Sequence, residues 1–212
     1  MKKIALIVCF FGTFPFIVFS QNLDIRILRS IHLNRSESMD PAFRFVSNSV
    51  LPLSIATPLS VIVAGKISGN RVMFRDGLTI GASMLLNETM TEVVKYSVNR
   101  KRPYEKYPDI KPQMSVRDPS FPSGHTSNAF CTATALSLAC PKWYVVVPSY
   151  SWAALVGYSR LDLGMHYPSD VVAGAIIGAG SAFLCFKLRK VLEKRYETKH
   201  PVIPTAMDGI YE

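Results

Sequence analysis

Phe45-Val-Ser-Asn-Ser-Val-Leu-Pro-Leu-Ser-Ile-Ala-Thr-Pro-Leu-Ser-Val-Ile-Val-Ala-Gly65 runs for 21 residues without a charge, between Arg44 and Lys66. As a helix it would be roughly 31 Å long, the thickness of a bilayer's hydrocarbon core. Pro52 and Pro58 do not exclude a crossing, because neighbouring helices can satisfy the carbonyls they leave free. A soluble protein rarely presents such a stretch, so this segment predicts a membrane-embedded helical chain.

Four further stretches extend that reading on the C-terminal side. Gly77–Asn87 is apolar and can continue through Glu88 and Glu92 to Lys95; Thr126–Pro141, Trp143–Ser159 and Val171–Phe186 hold 16, 17 and 16 uncharged residues. Sixteen residues cover roughly 24 Å, so these helices must borrow flanking residues or sit in a thinned bilayer. The small residues Ala173, Gly174, Ala175, Gly178, Ala179 and Gly180 include a Gly-x-x-x-Gly step suited to close helix packing. On the N-terminal side, Lys2 and Lys3 precede an uncharged run from Ile4 to Leu23, so residues 1–20 read as a signal peptide or a first membrane helix. Residues 21–44 read as an external amphipathic segment: Leu23, Ile27, Leu28 and Ile31 recur at helical spacing, with His32 expected on a solvated face. The expected architecture is an all-α polytopic bundle of five or six spans, with a membrane-embedded domain over 45–190 and a basic cytoplasmic tail over 191–212.

Composition agrees. Of 212 residues, 49% are hydrophobic and 18% charged, with a mean hydropathy of +0.19, which excludes a disordered tail or a fibre. The net charge of +9 would suit nucleic acid, but basic residues beside long apolar runs are more simply orientation signals and phosphate ligands. No nucleic-acid partner is expected. Lys66, Arg71 and Arg75, then Lys142, then Lys187, Arg189, Lys190, Lys194, Arg195 and Lys199 fall on one side, which should be cytoplasmic. The opposite loop, Tyr96–Gly124, nonetheless carries six basic residues. Cys9, Cys131, Cys140 and Cys185 lie in apolar stretches without zinc-site spacing and read as packing residues, so no metal is expected.

Nearly all the unusual polar residues at membrane boundaries lie in three segments that this topology brings to the outer side. Lys95 and Arg102, seven apart, would point to one face of a continuing helix and flank a phosphate. Ser123, Gly124 and His125 open the next helix, where a hydroxyl and free N–H groups favour an anion and the imidazole can supply a proton. His166 and Asp170 share a face at the start of the last helix, so the carboxylate can orient the imidazole through Nδ1–H and leave Nε2 as a nucleophile. Arg160 adds a planar cation matched to phosphate oxygens, while Ser159 and Asp162 read as loop-shaping residues. Taken singly, each pair has an ordinary explanation as a snorkelling cation, a helix cap or a surface histidine.

Together the segments resemble a known family. Lys95-x6-Arg102-Pro103, Pro122-Ser123-Gly124-His125 and Ser159-Arg160-x5-His166-x3-Asp170 are similar to the three signature motifs of the type 2 phosphatidic acid phosphatase superfamily, which includes class A acid phosphatases and vanadium haloperoxidases. The resemblance implies that family's helical core and a phosphoric ester hydrolase working through a phosphohistidine. His166 would be the nucleophile, Asp170 its orienting partner and His125 the acid and base. Lys95, Arg102, Ser123, Gly124 and Arg160 would hold the phosphoryl oxygens, with no metal or cofactor. The membrane-bound branch acts on lipid phosphates, so the expected substrate is lipid A, undecaprenyl diphosphate, phosphatidate or phosphatidylglycerol phosphate, met at the periplasmic face of a bacterial inner membrane. The alternatives are a secreted non-specific acid phosphatase, disfavoured by Phe45–Gly65, and a non-catalytic scaffold or transporter, disfavoured by a charged outer pocket. The motifs do not define the oligomeric state.

Overall fold

A computed structural model describes residues 21–113 and 116–199; the expected leader, Cys9 and the end of the basic tail lie outside the described residues. The helices are α1 (Gln21–His32), α2 (Asp40–Asn48), α3 (Val50–Ile67), α4 (Arg71–Val98), the single turn α5 (Pro103–Lys106), α6 (Gly124–Ala139), α7 (Trp143–Asp162) and α8 (Pro168–Lys199). No strand occurs among the described residues, so the fold is all-α as expected.

The decisive apolar stretch is divided. Pro52 lacks the N–H that would bond the carbonyl of Asn48, and the chain breaks into α2 and α3 at Ser49, which keeps helical torsions. The Ser49 hydroxyl donates to the Val46 carbonyl at 2.6 Å and accepts from Trp152 Nε1 at 2.9 Å, which ties the junction to α7. Two stretches among the described residues are long and apolar enough to cross a membrane, Glu37–Ile67 and Pro168–Tyr196. The short stretch at Gly77–Asn87 becomes part of the 28-residue α4, capped by Asn70, whose side chain accepts from the Val72 and Met73 N–H groups.

One sequence expectation fails at the end of α4. Lys95 and Arg102 do not share a continuing helix: Asn99 adopts a left-handed conformation (φ 48°) and Pro103 holds Arg102 extended (ψ 157°). Ser159 and Asp162 lie within α7 rather than shaping a loop; the Ser159 hydroxyl bonds the Val156 carbonyl at 2.7 Å.

Helix α6 sits between α4, α7 and α8. A Cβ at Gly174 would stand 2.6 Å from the Ser123 carbonyl oxygen, and one at Gly178 would overlap that of Ser127. Glycine there lets the α8 backbone press on the first turns of α6, and the Ser123 N–H then reaches the Asp170 carbonyl at 3.0 Å. The interior is unusually polar. Ser127 donates to Asn87 at 2.5 Å and meets Thr91 at 2.8 Å, while Phe45, Leu85, Trp143 and Ile176 point outward. Apolar outside and hydrogen-bonded inside is the pattern that suits a lipid solvent.

Helix α1 is not merely a surface segment. Its Ile25 and Leu28 are buried with Ile110, Leu161 and Tyr167, which docks it on α7 and α8. His32, expected on a solvated face, is buried, and its Nδ1 lies 2.7 Å from the Asp162 carbonyl oxygen. The amphipathic stripe faces protein at this position, so the histidine serves as a tether.

Candidate active site

The three polar segments meet at one end of the bundle. Gly164, with φ +69°, turns the chain after α7, and the N–H groups of Met165 and His166 bond back to the Arg160 carbonyl at 3.0 and 3.3 Å. That turn delivers His166 to the floor of a cleft. Its Nδ1 lies 2.8 Å from the Ser120 carbonyl oxygen and 3.5 Å from Asp170 Oδ2. A carbonyl can only accept, so Nδ1 carries the hydrogen and Nε2 keeps its lone pair, 3.2 Å from an Arg102 guanidinium nitrogen. The short bond that orients the ring therefore comes from Ser120, and Asp170 contributes charge at longer range.

His166 is 2% exposed, and burial is the main force pushing its pKa down to about 4; Arg102 and Arg160 push the same way, against the hydrogen bond and charge of Asp170. The imidazole is thus neutral at neutral pH. Asp170 itself is fully buried and satisfied: it accepts from the Ser120 hydroxyl at 2.5 Å, from the Tyr167 N–H at 3.0 Å and from Arg100 at 2.6 Å. Arg100 stacks on the Tyr167 ring at 3.8 Å.

The cations converge differently from the expectation of one helix face. Lys95 Nζ and Arg102 both hold Asp118, at 2.7 and 2.9 Å, and Arg102 also donates to the Met165 carbonyl at 3.0 Å. Arg160 is buried, donates to the Ser47 hydroxyl at 2.5 Å, and leaves its Nε without a partner. The first turn of α6 supplies the opposite wall. Gly124 lies close beside Lys95, where a Cβ would be 3.7 Å from Nζ. His125 stands open to the cleft.

A cleft of about 320 Å³ is lined by Lys95, Arg102, Gly124, His125, Arg160 and His166 together with Asp118. Six of the eight expected residues therefore share one cavity. Asp170 stands behind His166. Ser123 is buried, with its hydroxyl accepting from the Thr126 hydroxyl at 3.0 Å, so it caps α6 rather than facing the cleft. Val50 and Leu51 form an apolar lip, and Glu88, Glu92 and Asn128 a polar one.

Sequence reasoning missed Asp24, Arg100, Asp118 and Ser120. Arg100 was masked by the basic run that contains it, and Ser120 acts mainly through its backbone, which no side-chain pattern reports. Asp118 had a signal: a carboxylate in a loop rich in cations. Among the described residues, no group of three or more His, Cys, Asp or Glu side chains is arranged to hold a metal ion.

Known proteins share both the sequence and the fold. Undecaprenyl-diphosphatase of Sulfolobus acidocaldarius is 34% identical over 113 residues, 53% of this chain and 54% of the relative. Lipid A 4'-phosphatase of Bacteroides thetaiotaomicron is 39% identical over 82 residues, 39% of this chain and 36% of the relative. The chain thus spans about half the length of the first and about a third of the second. Among solved structures, the transmembrane PAP2 type phosphatidylglycerolphosphate phosphatase of Bacillus subtilis superposes with a TM-score of 0.70 and 25% identity, covering 91% of this chain and 98% of that one. LpxE of Aquifex aeolicus gives a TM-score of 0.67 and 26% identity over 78% and 95%. The PAP2 superfamily pattern matches residues 76–194, which is more than half the chain and takes in every cleft cation and both cleft histidines; the chain belongs to the PAP2 superfamily.

Proposed function

We propose that the protein is a metal-independent lipid phosphate phosphatase that works through a phosphohistidine. The observation that carries this reading is His166: a neutral imidazole whose Nε2 keeps its lone pair, 3.2 Å from Arg102, in a cleft bordered by three cations. Nε2 attacks phosphorus, the bond to the lipid oxygen breaks, and His125 gives that oxygen a proton. A water then attacks the phosphohistidine and passes its proton to His125, the P–N bond breaks, and inorganic phosphate leaves. Lys95, Arg102 and Arg160 stabilise the charge that gathers on the equatorial oxygens in both steps. Covalent catalysis divides one difficult displacement into two.

The bundle crosses the membrane with α3, α4, α6, α7 and α8, and the cleft opens at the end away from the basic residues Lys66, Arg71, Arg75 and Lys142. By the positive-inside rule that end is periplasmic in a bacterial inner membrane. Residues 21–44 lie outside, 45–190 form the embedded domain, and the chain from 191 continues on the cytoplasmic side. Val50 and Leu51 give the lipid chains a path from bilayer to cleft, which favours a lipid over a soluble phosphate. The relatives' names point to undecaprenyl diphosphate, lipid A and phosphatidylglycerol phosphate as substrate chemistries; phosphatidate completes the set.

The test is phosphate release by the purified chain in detergent from those four lipids, with and without EDTA. Release from at least one, undiminished by EDTA, is expected. Release from none, or only after a divalent cation is added back, would overturn the proposal.

A further inference from the structure

Two of the three cations in the cleft already have an anion, and this chain supplies it. Lys95 Nζ meets Asp118 Oδ2 at 2.7 Å and an Arg102 terminal nitrogen meets Oδ1 at 2.9 Å, so one carboxylate bridges both. Its two oxygens present to the pair much what two phosphoryl oxygens would. Arg160 lies outside the bridge and keeps a buried, unpartnered Nε.

We propose that Asp118 holds the place of the substrate's phosphoryl oxygens on Lys95 and Arg102, and that a phosphoryl group must displace it to bind. This rests on the phosphatase reading above. Lys95 also pairs with Glu92 at 3.3 Å, whereas Arg102 has Asp118 as its carboxylate partner, so Asp118 is the one anion that the two cations share. The displacement needs no unfolding: the Asp118 backbone carbonyl is pinned by Arg102 Nε at 3.0 Å, whereas the side chain is 35% exposed and lines the cleft, so it can turn towards water once its two cations are taken. Burial works against its charge, but Lys95 and Arg102 outweigh that and hold the carboxyl below the usual range, so acid conditions do not relieve the competition until well below neutrality.

The competing role is a permanent strut that keeps Lys95 and Arg102 in place. The two roles predict opposite signs. A strut lost weakens anion binding; a competitor lost strengthens it.

Calorimetric titration of the full chain in detergent with orthophosphate and orthovanadate separates them. Asp118→Asn should bind orthophosphate about tenfold more tightly or better, as expected for one charge removed from a partly buried site. Its KM should fall, and its kcat should fall as product is held. Asp118→Glu, which restores the charge, should return binding towards the parent's, a recovery that a merely loosened loop would not give. Equal or weaker orthophosphate binding in Asp118→Asn, with the parent binding normally, overturns this inference alone. No anion binding by any form, and no release from the lipid panel, overturns the phosphatase reading and the inference with it.

Discussion

Asp24, in the first turn of α1, pairs with Arg100 at 2.9 Å across 76 residues of sequence, and the same guanidinium reaches Asp170 at 2.6 Å. Asp24 also takes the N–H and hydroxyl of Ser169 at 3.1 and 2.5 Å. A helix outside the three motifs is thereby wired to the carboxylate behind His166. Burial alone would weaken the Arg100 charge, but Asp170 and Asp24 more than restore it.

Replacing Arg100 by alanine leaves Asp170 buried with an uncompensated charge, a change that ordinarily costs about 3–5 kcal/mol. We expect kcat on a soluble aryl phosphate to fall roughly 10- to 100-fold with KM little changed, because Arg100 lies behind His166 rather than on the cleft. Asp24→Asn should be milder, since Arg100 keeps Asp170. Steady-state kinetics and thermal unfolding in detergent read both effects; a kcat within twofold of the parent in Arg100→Ala would show that Asp170 does not depend on it.

The two histidines should separate by leaving group. His166→Ala should lose activity by at least about a thousandfold on every substrate, because the covalent route is gone. His125→Ala should lose far less when the leaving group is an activated phenol that departs without a proton. The phosphohistidine should then accumulate, since water is no longer activated. Acid-quenched mass spectrometry should place the phosphoryl group on the peptide containing His166; an adduct on His125 in His166→Ala would reverse the roles.

Much of this arrangement was legible in the sequence because polar residues at membrane boundaries are costly and therefore informative. Lys95, Arg102, Gly124, His125, Arg160 and His166 were expected at one site and line one cleft. The illegible part is made of partners. Whether the His166 imidazole bonds Ser120 or Asp170 depends on where a loop carbonyl falls, and backbone groups leave no compositional trace. The burial of His32 arises because α1 turns its stripe towards Ile110 and Leu161 instead of lipid, a tertiary choice that helical periodicity leaves open. Lys95 and Arg102 were rightly grouped for an incorrect reason: left-handed Asn99 ends the helix between them, and Asp118 gathers the two cations.

Sidedness has its own test. A cysteine replacing exposed Lys111, in the loop near the cleft, should react in intact cells with an impermeant thiol reagent, whereas one replacing exposed Ser68, between α3 and α4, should react only after lysis. Labelling of Ser68→Cys alone would turn the bundle over and place the cleft in the cytoplasm.

The pH dependence follows from the burial of His166. With its pKa near 4 in the free protein, His166 keeps a lone pair on Nε2 well below pH 6.5, so the acid limb of kcat/KM should lie closer to pH 4 than to an ordinary histidine's value. Stability also falls on the acid side. As pH falls from about 6.5 towards 4, an unfolded chain protonates this histidine while the folded one does not, so folding stability must drop over that window and level off below it. The full effect for His166 is on the order of 3 kcal/mol. Thermal unfolding from pH 7.5 to 4 should show that loss in the parent and a smaller one in His166→Asn, which titrates in neither state. An identical slope in both would mean that His166 is already protonated in the fold near pH 6, and therefore that the nucleophile is not held neutral by its burial.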